Sequence, residues 1–181
     1  MQMDPAIIAV TRAAGATIFA GSAAMKFFTP MEFRSAVENY RIVPESISGL
    51  VAWSVPILEL AGAAGLVFAP TRDASALLLL GLLAIFTGAI VLNLARGRRE
   101  IDCGCFGPMM RQRLSGWLVA RNAALALLIV AAAAPGDGRA LLALDYVTIA
   151  SGGSALVILY VGVNYLLANA PAIAMLGMRD A

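Results

Sequence analysis

"ASALLLLGLLAIFTGAIVLNLARGRREIDCGCFGP", residues 74–108, sets two kinds of chemistry back to back. Residues 74–95 carry no charge, and as a helix they would be roughly 33 Å long, enough to cross a hydrocarbon core of about 30 Å. Only a helix satisfies its own backbone hydrogen bonds there. Directly after this run come Arg96, Arg98 and Arg99, and then Cys103 and Cys105, the two cysteines of the chain, separated by Gly104. The first half decides the fold, and the second poses the functional question.

Four more stretches repeat the apolar pattern on either side. Residues 7–28 are interrupted by Arg12 and Lys26, and residues 49–69 carry Glu59 at their centre. Residues 117–134 contain Arg121 near their start, and residues 146–168 have no charge. Of the 181 residues 61% are apolar and 13% charged, against roughly a quarter charged in a soluble domain. The sequence therefore reads as an all-α integral membrane protein, an antiparallel four-helix transmembrane bundle followed by a fifth, C-terminal transmembrane helix. The expected division is a bundle domain over 1–134, with its Cys-Gly-Cys loop at 96–116, and a C-terminal loop and apolar helix over 135–181. The opening MQMDPA places no cation ahead of the first apolar run, which argues against a cleaved signal peptide.

The two larger polar connections, 29–48 and 96–116, are separated by two spans and so lie on one side of the membrane. That face, with the C-terminal tail, holds Arg34, Arg41, Arg96, Arg98, Arg99, Arg111, Arg113 and Arg179; the loops opposite hold Arg72 and Arg139. Basic residues accumulate in cytoplasmic loops, so the count puts the cysteine loop inside. A net charge of +2 is too small to indicate a nucleic-acid partner. The absence of histidine excludes Ser-His and Cys-His catalysis and removes the commonest transition-metal ligand.

A disulfide between Cys103 and Cys105 would close a very small, strained ring, and Gly104 is the residue that makes such closure least costly. Strained disulfides are oxidising and tend to be catalytic or regulatory. The surrounding arginines, Arg121 included, favour thiolate over thiol, while Glu100 and Asp102 oppose them in part. Set against this is the plainer reading of two small packing residues, although a polar, glycine-rich turn is an odd place for it. Two thiolates without histidine fall short of a four-ligand zinc or iron–sulfur site, so no metal and no resident cofactor are expected. A two-coordinate Cu(I) remains compatible with two sulfurs. Glu59, near the middle of a span, needs a partner or a proton. Arg12 and Arg121 are the cations that sequence places in reach, and Gly62 and Gly65 permit close helix approach.

Several segments together resemble the MauE family of methylamine utilisation proteins, within the DoxX-like group of small membrane proteins. They are "RAAGATIFAGSAAMKF", "ENYRIVP", "PILELAGAAGLVF", "LNLARGRREIDCGCFG" and "ARNAAL". Asp102-Cys103-Gly104-Cys105-Phe106-Gly107 is the most specific of these, and Lys26, Tyr40, Pro44, Glu59, Arg96, Gly97, Arg121 and Asn122 fall on the family's polar signature. The resemblance implies a bacterial inner-membrane protein assisting maturation of the disulfide-rich periplasmic small subunit of methylamine dehydrogenase, with a thioredoxin-like partner. On that reading Cys103 and Cys105 are the catalytic pair. Gly104, Asp102, Arg96, Arg121, Asn122, Lys26, Glu59 and Tyr40 support them. Apart from the resemblance, a quinone or a thioredoxin-like protein is compatible with the role of electron partner. A periplasmic client would place the cysteines outside, against the arginine count; a transmembrane thiol relay reconciles the two. The competing functions are a non-catalytic scaffold for a redox partner and a carrier of a small molecule or soft metal.

Cysteines introduced singly into 29–48 and 96–116 of a cysteine-free background should react with an impermeant maleimide from the same side of the membrane. Labelling from opposite sides would break the assignment of spans.

Overall fold

The computed structural model describes residues 3–104, 112–136 and 139–177, with side chains described as far as Asn169. Its elements are helices α1 (Pro5–Phe28), α2 (Pro30–Asn39), α3 (Glu45–Val67), α4 (Arg72–Ala95), α5 (Gly116–Ala133) and α6 (Ala143–Gly177), with a short 3-10 turn at Ala69–Thr71 before α4. All but α2 are long and apolar enough to cross a membrane. The five expected spans are therefore present, and the chain is a multi-pass membrane protein.

Local chemistry sets the helix ends. α1 starts behind Asp4, whose carboxylate accepts the Ala6 N–H at 2.8 Å, with Pro5 in the first turn where its missing donor costs nothing. It stops at Thr29, because the residue before Pro30 is pushed out of the helical region. α4 closes with a Schellman motif: Gly97, at φ +74°, donates to Leu94 O and Arg98 to Asn93 O, both at 3.0 Å.

Part of the connection 29–48 is itself a helix, α2, which contains no long apolar run. At ten residues it is about 15 Å long, too short to span. It buries Phe33 and Ala36 on one face. From its opposite side Glu38 accepts from Ser48 Oγ of α3 at 2.7 Å and from Arg34 at 2.8 Å. These two hydrogen bonds, Ser48 first, hold the Glu38 carboxyl below the usual carboxylate range.

α1 packs on α3 and α5, and α4 packs on the same two helices, so the four close into a ring. α6 stands outside the ring against α1. There Gly152 and Gly153 bring its backbone up to Val10 and Ala13. The half of the ring away from the cysteine loop is filled by Ile18, Phe19, Leu66, Leu79, Leu83, Leu125 and Ile129. Polar side chains are concentrated in the other half.

Gly62 lets α3 approach α4. A Cβ there would lie 2.6 Å from Leu79 Cδ2 and 2.8 Å from its Cγ. Gly62→Val should therefore overpack the core and cost about 1–3 kcal/mol, read as a lowered thermal midpoint of helical circular dichroism in detergent. An unchanged midpoint would show that the two helices are not this close.

Candidate functional site

Lys26, the one lysine of the chain, and Glu59 are both almost fully buried, at 3% and 4% exposure. The ammonium lies 2.7 Å from Oε2 and 2.8 Å from Oε1, and donates to Ser22 Oγ at 2.6 Å. The rings of Phe33 and Phe86 flank it, with centroids at 5.3 and 5.9 Å. The ion pair at Glu59 is thus with Lys26, a match that the sequence had not made. Helical side chains lean toward their own N-terminus, so a lysine near the end of α1 is carried back into the bundle. Arg12 is turned to the far end of α5, donating to Ala132 O at 2.8 Å.

Arg121 is the centre of a second cluster. Its guanidinium donates to Asn122 Oδ1 at 3.2 Å, to Gln112 Oε1 at 3.2 Å and to Asn164 Oδ1 at 3.2 Å. One terminal nitrogen lies 3.8 Å from Cys103 Sγ. Asn122 passes the network on to Thr87 Oγ1 at 3.0 Å, and Gln112 donates to Asn164 O at 2.8 Å. A cavity of about 40 Å³ joins the two clusters, lined by Ser22, Lys26, Glu59, Arg121, Asn122 and Tyr160 together with apolar residues. Half of its lining side chains are polar, and it is large enough to hold water.

The cysteine loop folds back onto this layer. Cys103 N donates to Gln112 O at 2.9 Å and Leu114 N to Ile101 O at 3.0 Å, so residues 101–103 pair antiparallel with 112–114. Asp102 accepts the Gln112 N–H at 3.1 Å. Cys103 is buried with Tyr40, Ile90, Leu114 and Leu118. Gly104 has φ +71°, and a Cβ on it would lie 2.5 Å from that of Ala36. Both the backbone and the closeness of α2 call for glycine here. A valine at 104 would thus strain the seat of α2 as well as the turn.

Lys26, Glu59, Arg121, Asn122, Asp102, Cys103, Gly104 and Tyr40 are therefore gathered at one end of the bundle. The Tyr40 carbonyl accepts from Asn93 Nδ2 at 3.2 Å and Arg98 at 3.4 Å. Arg96 stands apart, exposed at the end of α4, its N–H bonded to Leu92 O. Of the arginines expected to bias the sulfurs, Arg121 reaches Cys103, Arg98 serves Asn93 and Tyr40, and Arg113 pairs with Glu100 at 2.8 Å on the surface. Cys105 and Arg111 lie outside the described residues, and with them the pairing of the two sulfurs. Ser22, Thr87, Gln112 and Asn164 were not singled out from the sequence. The available signal was an amide or hydroxyl within an apolar run, which seeks a partner on another helix. Among the described residues no group of three or more His, Cys, Asp or Glu side chains is placed to hold a metal ion.

Residues 4–135 match the model of a family described as methylamine utilisation protein MauE. The methylamine utilization protein MauE of Paracoccus versutus is 40% identical over 131 residues, covering 72% of this chain and 70% of that one. Its namesake from Paracoccus denitrificans is 37% identical over the same length, with the same coverage. That of Methylorubrum extorquens is 40% identical over 124 residues, 68% of this chain and 67% of that one. No solved structure gives a significant match.

Lys26→Met or Glu59→Leu alone should destabilise the bundle by about 3–5 kcal/mol, because each leaves the other charge buried, while the double variant should lie closer to wild type. Glu59→Gln should be milder than Glu59→Leu, since the amide keeps an acceptor. Reversible unfolding in mixed micelles measures all four. Additive costs in the double variant would mean that the two charges do not interact.

Proposed function

Because the chain belongs to the MauE family of methylamine utilisation proteins, we propose that it is a thiol–disulfide exchange protein of a bacterial inner membrane, serving maturation of the small subunit of methylamine dehydrogenase. The observation that carries the redox part of this reading is the buried Arg121 guanidinium 3.8 Å from Cys103 Sγ. A cation held there by three amide side chains favours the thiolate, the form that attacks and leaves in disulfide exchange.

The exchange balances within two dithiols. A thiolate of a thioredoxin-like partner attacks one sulfur of the Cys103–Cys105 disulfide, forming a mixed disulfide and releasing the other sulfur as a thiolate. The partner's second thiol then displaces the attacked sulfur. The partner leaves as a disulfide ready to oxidise its client, and the Cys103–Cys105 pair holds the two electrons as a dithiol. In this scheme Arg121 steadies the Cys103 sulfur whenever it carries charge, while Asn122, Gln112 and Asn164 fix the guanidinium. Lys26 and Glu59 hold α1 and α3 in place and line the cavity behind Arg121.

Cys105→Ser should leave a lone Cys103 thiolate that attacks the partner's disulfide, the reverse of the exchange above, with no second thiol to resolve the product, so that mixed disulfides with the partner accumulate in cells and appear on non-reducing gels; Cys103→Ser covers the opposite assignment. Failure of both variants to trap a protein, together with normal client maturation in the double serine variant, would overturn the redox reading in favour of a scaffold.

A further inference from the structure

An apolar cavity of about 100 Å³ lies beside Cys103, between α2, the turn that follows it, α3 and α4. Cys103 forms part of its wall, with Phe33, Tyr40, Phe86 and Ala89. Two other lining residues, Ile85 of α4 and Ile42 after α2, are 70% and 44% exposed, so the cavity reaches the surface past them. Ile85 sits mid-way along a membrane-spanning helix, and a surface at that depth faces lipid. Phe33 and Phe86, held by the Lys26 ammonium on their ring faces, give the cavity flat and firmly seated walls. Apart from Tyr40 and Cys103 every lining residue is aliphatic or phenylalanine.

We propose that this cavity admits the ring of a lipid-soluble quinone to Cys103, making the quinone the oxidant that regenerates the disulfide. The inference rests on the thiol–disulfide reading above and names the electron acceptor it requires. A redox-active cysteine in the wall of an apolar, lipid-accessible cavity suits a co-reactant that dissolves in the bilayer and accepts two electrons. The size fits a ring entering edge first, since a dry cavity of roughly 150 Å³ encloses a whole benzene and this one is open on one side. An isoprenoid tail would remain in the lipid past Ile85. The step balances: Cys103 and Cys105 each lose an S–H bond and gain the S–S bond between them. The two electrons and both protons pass to the quinone, which leaves as hydroquinone.

The experiment uses the full chain, reduced and returned to phospholipid nanodiscs without oxygen, then mixed with decylubiquinone. Quinone absorbance and maleimide-accessible thiols are followed together. One quinone should be consumed per pair of thiols lost. Ala89→Phe, which fills the cavity, and Ile85→Trp, an exposed change at its mouth that leaves the core untouched, should each slow this reaction by roughly tenfold. Oxidation by the small water-soluble reagent diamide should stay at the wild-type rate in both. A wild-type dithiol that diamide closes but decylubiquinone does not would overturn the quinone proposal and leave the exchange reading standing. Quinone oxidation unaffected by either substitution would overturn the assignment to this cavity. A pair that diamide cannot close would overturn the exchange reading and this proposal with it.

Discussion

An ammonium and a carboxylate 2.7 Å apart inside a membrane bundle constrain nearly everything around them. Neither charge tolerates lipid alone, and neither can turn to water at this depth, so α1 and α3 must present Lys26 and Glu59 to one another. A buried pair adds little net stability over well-packed apolar residues, but losing one member is costly. Its main effect is therefore to exclude other registers between the two helices. The Phe33 ring of α2 lies over the same ammonium, which ties the position of a short helix outside the ring of spans to an ion pair within it.

The same rule of internal satisfaction builds the second cluster from distant parts of the chain. Arg121 belongs to α5, Gln112 to the cysteine loop and Asn164 to α6, and each alone would be an expensive polar group in an apolar setting. Joined, they hold one another and hold the loop. Because Gln112 O accepts from Cys103 N while Gln112 Oε1 accepts from Arg121, the backbone register of the loop and the place of the guanidinium are set by a single residue. Asn164 lies beyond residue 135, where the family match ends. The fifth span thus adds a hydrogen-bonding group to the site as well as a further crossing, although it stands outside the four-helix ring.

Two cavities of opposite character meet at the Phe86 ring, which lines both. One has charged side chains in its lining, Glu59 and Arg121 among them; the other is apolar and has Cys103 in its lining.

Hydropathy alone determined the number of spans, their order and their alternation, because the cost of exposing backbone polar groups to lipid acts on every residue and is written locally. Glycine at 104 and the charges at 26, 59 and 121 were legible for a related reason: each breaks the pattern of its surroundings. Only the tertiary structure decided which of them meet. Glu59 could have been matched with Arg12 or Arg121 on span position, yet the backward lean of side chains on α1 brought Lys26 to it. α2 was hidden because an amphipathic helix of ten residues buries just two of them and so leaves little trace in composition. Gln112 and Asn164 were hidden because an uncharged amide inside or beside an apolar run shows that it needs a partner without showing which one. That choice depends on distances between helices, and those exist only once the bundle has closed.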